Sequence, residues 1–275
     1  MCRFVAYLGK KEIRLKDILE DSANSLIKQS LHANKGNHRI NADGFGIAWY
    51  NHDIDDIPGI FRSIRPAWND VNLRSIAAKV KSQCFLGHVR SSTEGSVGVS
   101  NCHPFFYDKY SMVHNGGIHK FHNIKKRIIA DLDDDIFNLI QGHTDSEFFF
   151  SIILNFILKK GLSIEDAILK SIDYITELQE KYNNKAKLEL NIAFTDGYKV
   201  YATKYAYQAE HCSLFYSIIH NGSDQNTGIV VASEPLSDYE DKTWFSIDNE
   251  SLIIIDPENG INIERIKAKQ SLNII

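Results

Sequence analysis

The stretch MCRFVAYLG at residues 1–9 decides how this chain is read. Cys2 becomes the first residue once Met1 is removed, and Arg3 and a short apolar strand, FVAYL, follow it. Exposed in this way, Cys2 carries a nucleophilic thiol and a primary amine on one residue. A free α-amine has a pKa of about 8, so part of it is neutral near pH 7 and can take up a proton. A thiol needs such a base beside it to become a thiolate. The plain alternative is a small core residue opening a strand, and the rest of the chain decides between the two.

The 275 residues are 43% hydrophobic and 24% charged, with 5 prolines, which is material for a sizeable core. No Pro/Gly/Ser-rich linker divides them, so one domain over residues 1–275 is expected. The net charge of -4 and a pI near 6.3 argue against nucleic acid or an anionic membrane as partners. No basic stretch precedes an apolar run at the N-terminus, so a secretory signal is not expected. The longest apolar run, FFFSIILNFIL at 148–158, is too short to span a bilayer and contains Ser151 and Asn155. Cys2, Cys84, Cys102 and Cys212 are widely spaced with no CxxC pair, which predicts neither a zinc site nor a disulfide framework. A reducing cytoplasm suits such a set and keeps a reactive thiol usable.

Outward from the opening strand, residues 17–31 read as a helix capped by Asp17. NADGFGIAWY at 41–50 reads as a turn feeding a strand, and GIFRSIRPAW at 59–68 as a strand ended by Pro66. Asn69 or Asp70 caps a helix over VNLRSIAAKVKS at 71–82. CFLGHVRSS at 84–92 is a strand, and SMVHNGGI at 111–118 is a strand ending in Asn-Gly-Gly. Two helices follow, one from Thr144 and one over 163–182 with a Ser163 cap and an apolar stripe. Beyond them the period becomes two: a hairpin turning at Asp196-Gly197, then SLFYSIIH, GIVVAS and SLIIID. Strands at both ends with consecutive helices between them predict an α/β fold of four layers, two stacked sheets with helices outside.

Polar clusters stand where these strands end: Cys2-Arg3, His88-Val89-Arg90 with Thr93, NCHPF at 101–105, His114-Asn115-Gly116-Gly117 and TDSE at 144–147. Arg90, in an otherwise apolar strand, needs a partner, and its fork suits a carboxylate. A structural ion pair with Asp145 is the alternative. Asn115 and the Gly116 amide can face a developing oxyanion, with a hairpin turn as the alternative.

Taken together and in order, MCR, NADGFG, GHVRSST, NCHPF, HNG, TDSE and ASEPL (232–236) resemble the class II glutamine amidotransferases, and among them the stand-alone members. The resemblance runs from Met1 to Leu236. It implies the αββα sandwich of the N-terminal-nucleophile hydrolases and a cysteine-dependent glutaminase without cofactor or metal. It implies Cys2 as nucleophile with its own α-amine as base, and Asn115 and Gly116 as oxyanion donors. Arg90 would bind the substrate α-carboxylate and Asp145 its α-ammonium. His88, Thr93, Asn101 and His103 would line or order the pocket, and Ser233 and Glu234 would line its substrate side. The expected substrate is glutamine; another γ-glutamyl amide, such as glutathione or an ergothioneine-pathway intermediate, and a non-catalytic subunit of the same fold are the alternatives. The resemblance allows a separate ammonia-acceptor or synthetase subunit and a homo-oligomer.

Overall fold

Apolar side chains occupy consecutive positions of FVAYL because the strand is covered on both faces. Phe4, Ala6 and Leu8 enter one core, and Val5 and Tyr7 enter another. The computed structural model describes residues 2–35, 39–92, 97–210, 212–221, 223–237 and 243–267. In its first half the chain runs β1 (Arg3–Arg14), α1 (Leu26–Leu31), β2 (Phe45–Trp49), β3 (Gly59–Ser63), α2 (Val71–Lys79), β4 (Lys81–Val89), β5 (Phe105–Tyr107) and β6 (Tyr110–Ile118). Four helices follow: α3 (Phe121–Asp131), α4 (Asp134–Phe137), α5 (Asp145–Leu158) and α6 (Ile164–Tyr182). The last part is β7 (Leu188–Thr195), β8 (Val200–Lys204), β9 (Ala206–Tyr207), β10 (Phe215–Asn221), β11 (Ser223–Ala232), β12 (Trp244–Ser246), β13 (Ser251–Asp256) and β14 (Gly260–Arg265).

The strands form two antiparallel sheets. The first has the order β12-β10-β11-β1-β4-β2-β3, and the second β14-β13-β8-β7-β6-β5 with β9 paired to β7. Three cores separate the layers. One holds Phe4, Leu86, Val113 and Ile253 between the sheets, kept thin by Ala6, Ala48, Ala193 and Ala202. A second packs α1 and α2 on the first sheet, and a third packs α3, α5 and α6 on the second. This is the expected αββα arrangement. Among the described residues no helix is long and apolar enough to cross a membrane.

Three local readings change. The helix expected over 17–31 is broken into a π-helical turn at Asp17–Asp21 and α1. Between them Asn24 donates its N–H to Leu236 O (2.8 Å) and its side-chain amide to Pro235 O (2.7 Å), and Ser25 caps α1. Those tertiary bonds outweigh helix continuation. The glycines of HNGG do not make a turn; they continue β6, Gly116 opposite Leu190 and Gly117 opposite Glu189. A Cβ on Gly116 would lie 2.1 Å from Glu189 O, so only glycine lets β6 and β7 close here. Helix α3 was not anticipated, although Phe121, Ile124 and Ile128 bury one face at helical spacing.

Candidate active site

Cys2 sits at the entry to β1, half-buried, with its thiol against the Ser91 backbone. Sγ lies 3.5 Å from Ser91 O, and the Ser91 N–H points to Sγ at 3.4 Å. Burial pushes the thiol pKa up; the Ser91 N–H and the nearby Arg90 and Arg3 charges work against it. Thr93 and Met1 lie outside the described residues.

Arg90 follows β4 and is held by the NADG stretch. Its N–H donates to Gly44 O (2.8 Å), and Asp43 N–H donates to Arg90 O (3.0 Å). The Asp43 carboxylate accepts the Ser92 N–H at 2.7 Å. Gly44 has φ +117°, and a Cβ there would meet Cys102 Sγ at 2.6 Å, so the bracket requires glycine. The Arg90 side chain is buried, with Nη2 3.2 Å from Ser92 Oγ and, among the described residues, no partner for Nη1. Among the described residues no ion pair engages Arg90 or Asp145, so the two are not bonded to each other.

Asp145 opens α5, after Thr144 caps the helix by accepting the Glu147 N–H. Its Oδ2 accepts the Ile118 N–H (2.7 Å) and Oδ1 the Ser146 N–H (2.8 Å), which joins the helix N-terminus to the end of β6. The loop ahead of it is fixed from behind. Asn101 Oδ1 accepts the His143 N–H (3.0 Å), and the Glu147 carboxylate accepts those of Gln141 and Gly142.

Asn115 is buried below Gly116 and ties the sheets together, its Nδ2 3.4 Å from Ser233 Oγ. Ser233 Oγ also accepts the Phe4 N–H at 3.0 Å. Glu234, fully buried, pairs with Arg3 Nε at 2.6 Å and accepts the N–H groups of Asn34 and Lys35. Arg3 also donates to Cys2 O (2.8 Å) and to Lys35 O. Glu234 thus anchors the chain beside Cys2. His114 links Ser146 Oγ (2.8 Å) to Glu189 O (2.9 Å). His88 donates from Nε2 to His114 O and packs against His103 with ring centroids 4.1 Å apart and planes tilted by 34°; among the described residues neither ring nitrogen of His103 has a partner. Burial holds His88 down to about 3 and His103 well below the usual range, so both rings are neutral at pH 7.

These elements surround an open cleft of about 220 Å³. Of the residues singled out in the sequence, Cys2, Arg90, His103, Gly116 and Asp145 reach its wall. His88, Asn101, Asn115, Ser233 and Glu234 pack behind it, so the expectation that Ser233 and Glu234 line the substrate side is corrected. Both are fully buried, and their polar atoms are spent on β1, β6 and the 34–35 loop. Ser91, Ser92, His114, Thr144 and Ser146 join the wall as further members of the same motifs. Glu189 joins it from β7, where LELNI carries no local sign of a site.

The two stacked sheets, with Cys2 at the start of the central strand β1 and a cleft beside it, have the architecture of the N-terminal-nucleophile hydrolases. The profile of the family described as "Glutamine amidotransferases class-II" matches residues 21–216. The probable glutamine amidotransferase DUG3 of Saccharomyces cerevisiae is 36% identical over 93% of this chain and 82% of its own length. The gamma-glutamyl-hercynylcysteine sulfoxide hydrolase of Mycolicibacterium smegmatis is 29% identical over 92% of this chain and 95% of its own. A solved glutamine aminotransferase class-II domain protein from Silicibacter pomeroyi superposes with TM-score 0.71 at 28% identity, covering 97% of this chain and all of the other. The chain belongs to the class II glutamine amidotransferase family, a family of enzymes.

Proposed function

We propose that this chain hydrolyses the side-chain amide of glutamine, or of a related γ-glutamyl compound, to glutamate and a free amine through a thioester on Cys2. The observation that carries the reading is one cleft holding the Cys2 thiol, an arginine and an aspartate not bonded to each other, and the Gly116 backbone. An arginine with Nη1 buried and unpaired awaits an anion, and a carboxylate at Asp145 complements an ammonium. The α-carboxylate and α-ammonium of a glutamyl head supply both.

In this reading the Cys2 thiol gives its proton to its own α-amine, and the sulfur attacks the amide carbon. The oxyanion is met by the N–H of Gly116 on the cleft wall and, from behind it, by the Asn115 side-chain N–H that is not aimed at Ser233 Oγ. The tetrahedral intermediate collapses, the C–N bond breaks, and the nitrogen leaves with the proton carried by the α-amine. Water then cleaves the thioester, giving the γ-carboxyl and restoring the thiol. His88 and His103, held neutral by burial, are poor acceptors for the thiol proton, which favours the α-amine as base.

The test is glutamate release from glutamine and a panel of γ-glutamyl amides, using protein whose Met1 removal is verified by intact mass. Cys2→Ala should abolish release, and folded protein that keeps Met1 should lose most of it. No glutamate from any compound, or equal rates in Cys2→Ala, overturns the assignment.

A further inference from the structure

Glu189 is the acidic member of the cleft wall that the proposed chemistry leaves without a part. Its place follows from topology. In the first sheet β4, which leads into Arg90, lies on one side of β1, and β11 lies on the other. In the second sheet β5, which follows His103, lies on one side of β6, and β7 on the other. The cross-links keep these sides aligned. His88 on β4 bonds His114 O and packs against His103. On the opposite side Asn115 reaches Ser233, Ser213 Oγ donates to Ser233 O (2.8 Å), and Asn191 on β7 donates to Cys212 O (3.0 Å). Arg90 and Glu189 therefore flank Cys2 from opposite sides.

Along β7, Glu189 stands two residues before Asn191, on the face directed at the first sheet. Its Oε1 accepts a hydrogen bond from Cys212 Sγ at 3.4 Å, and no ion pair engages it among the described residues. Cys212 is buried and its thiol is pushed up to about 12, so the donor is neutral. Arg3, close enough for its charge to be felt by that thiol, is paired with Glu234. Among the described residues no cationic side chain is thus paired with this carboxylate.

With the glutamyl head held on the Arg90 side, the group beyond the scissile bond points toward Glu189. We propose that Glu189 sorts substrates by the charge of the leaving amine, favouring ammonia or an amine with a further positive charge and disfavouring one with a carboxylate on the carbon next to nitrogen. This rests on the proposed amide hydrolysis. The bond broken is the same C–N bond, and the amine released takes a second proton from water, so Glu189 meets a cation. A leaving amino acid brings its carboxylate to the same place, and the two anions repel.

The experiment measures kcat/KM on processed protein for glutamine, mono-γ-glutamyl-1,4-diaminobutane and γ-glutamylglycine. The first two should exceed the third, and Glu189→Gln should narrow that gap by about tenfold or more, by differential transition-state binding. Cys212→Ala, which removes the donor and keeps the charge, should preserve the gap. On the unmodified protein, raising salt from about 0.02 M to about 0.5 M should narrow it too, because the head-group contacts are common to all three and cancel in the ratio. An unchanged ratio in folded Glu189→Gln, a ratio insensitive to salt, or the same collapse in Cys212→Ala overturns the role of Glu189 alone. No turnover of any of the three by the unmodified protein overturns the amide-hydrolase reading and this inference with it.

Discussion

His88 and His103 form a close, tilted pair of neutral imidazoles at the cleft wall, and their burial has a measurable consequence. In the unfolded chain a histidine takes up a proton near pH 6.5; in the fold His88 resists until about 3. Between those values the unfolded state binds more protons, so stability is complete above pH 6.5 and falls as pH drops toward 3. Each such ring contributes up to roughly 1.4 kcal/mol per pH unit. His88→Asn keeps a side-chain N–H for His114 O and removes the titration. Its unfolding free energy, measured by denaturant between pH 7 and 4, should fall less steeply than that of the parent. Parallel curves would show that His88 is not held neutral by the fold.

At the scale of the element, the start of α5 does two jobs: it begins a helix and it aims Asp145. Thr144 caps it, and the Asn101 and Glu147 bonds fix the preceding loop. Thr144→Ala should cost about 1 kcal/mol of stability, as loss of an N-cap does. Because Asp145 lies in the first turn, the same change should raise KM for glutamine more than it lowers kcat. Ser163→Ala, at the cap of α6, removes an equivalent bond to Asp166 N–H (3.1 Å) in a helix whose start is not on the cleft wall. It should show a similar loss of stability with KM unchanged. Equal KM effects in the two variants would separate Asp145 from substrate binding.

Over the whole molecule, the cleft exists because two sheets approach closely enough for Asn115 to reach Ser233 and for His88 to reach His114. Small side chains permit that approach; Ala6, Ala48, Ala193 and Ala202 are fully buried between the sheets. Ala193→Leu inserts a larger side chain into a closed core and should cost roughly 1–3 kcal/mol. It should also lower kcat/KM, since Ala193 lies on β7 beside Val113 of β6, the strand carrying Asn115 and Gly116. Denaturant unfolding and steady-state rates on one preparation test both. A stable variant with unchanged kcat/KM would show that sheet spacing does not tune the cleft.

The sequence by itself determined the layer order, most strands and the cap at Ser163, and narrowed another cap to Asn69 or Asp70, because period and capping chemistry act over two to four residues. It also marked Cys2 and Arg90, at the ends of apolar strands where polar types are out of place, Asp145 at the start of a helix, and Gly116 within His-Asn-Gly-Gly. Tertiary structure alone decided that Gly116 and Gly117 lie inside a paired strand, since that depends on the close approach of β7. It decided that NADG brackets Arg90, and that Glu234 holds Arg3 from 231 positions away rather than facing substrate. It placed Glu189 on the cleft wall, and no neighbour in LELNI announces that. Such contacts arise only when distant strands are brought into register by the burial of their apolar faces, and a side chain's local sequence carries no record of which strand will lie across from it.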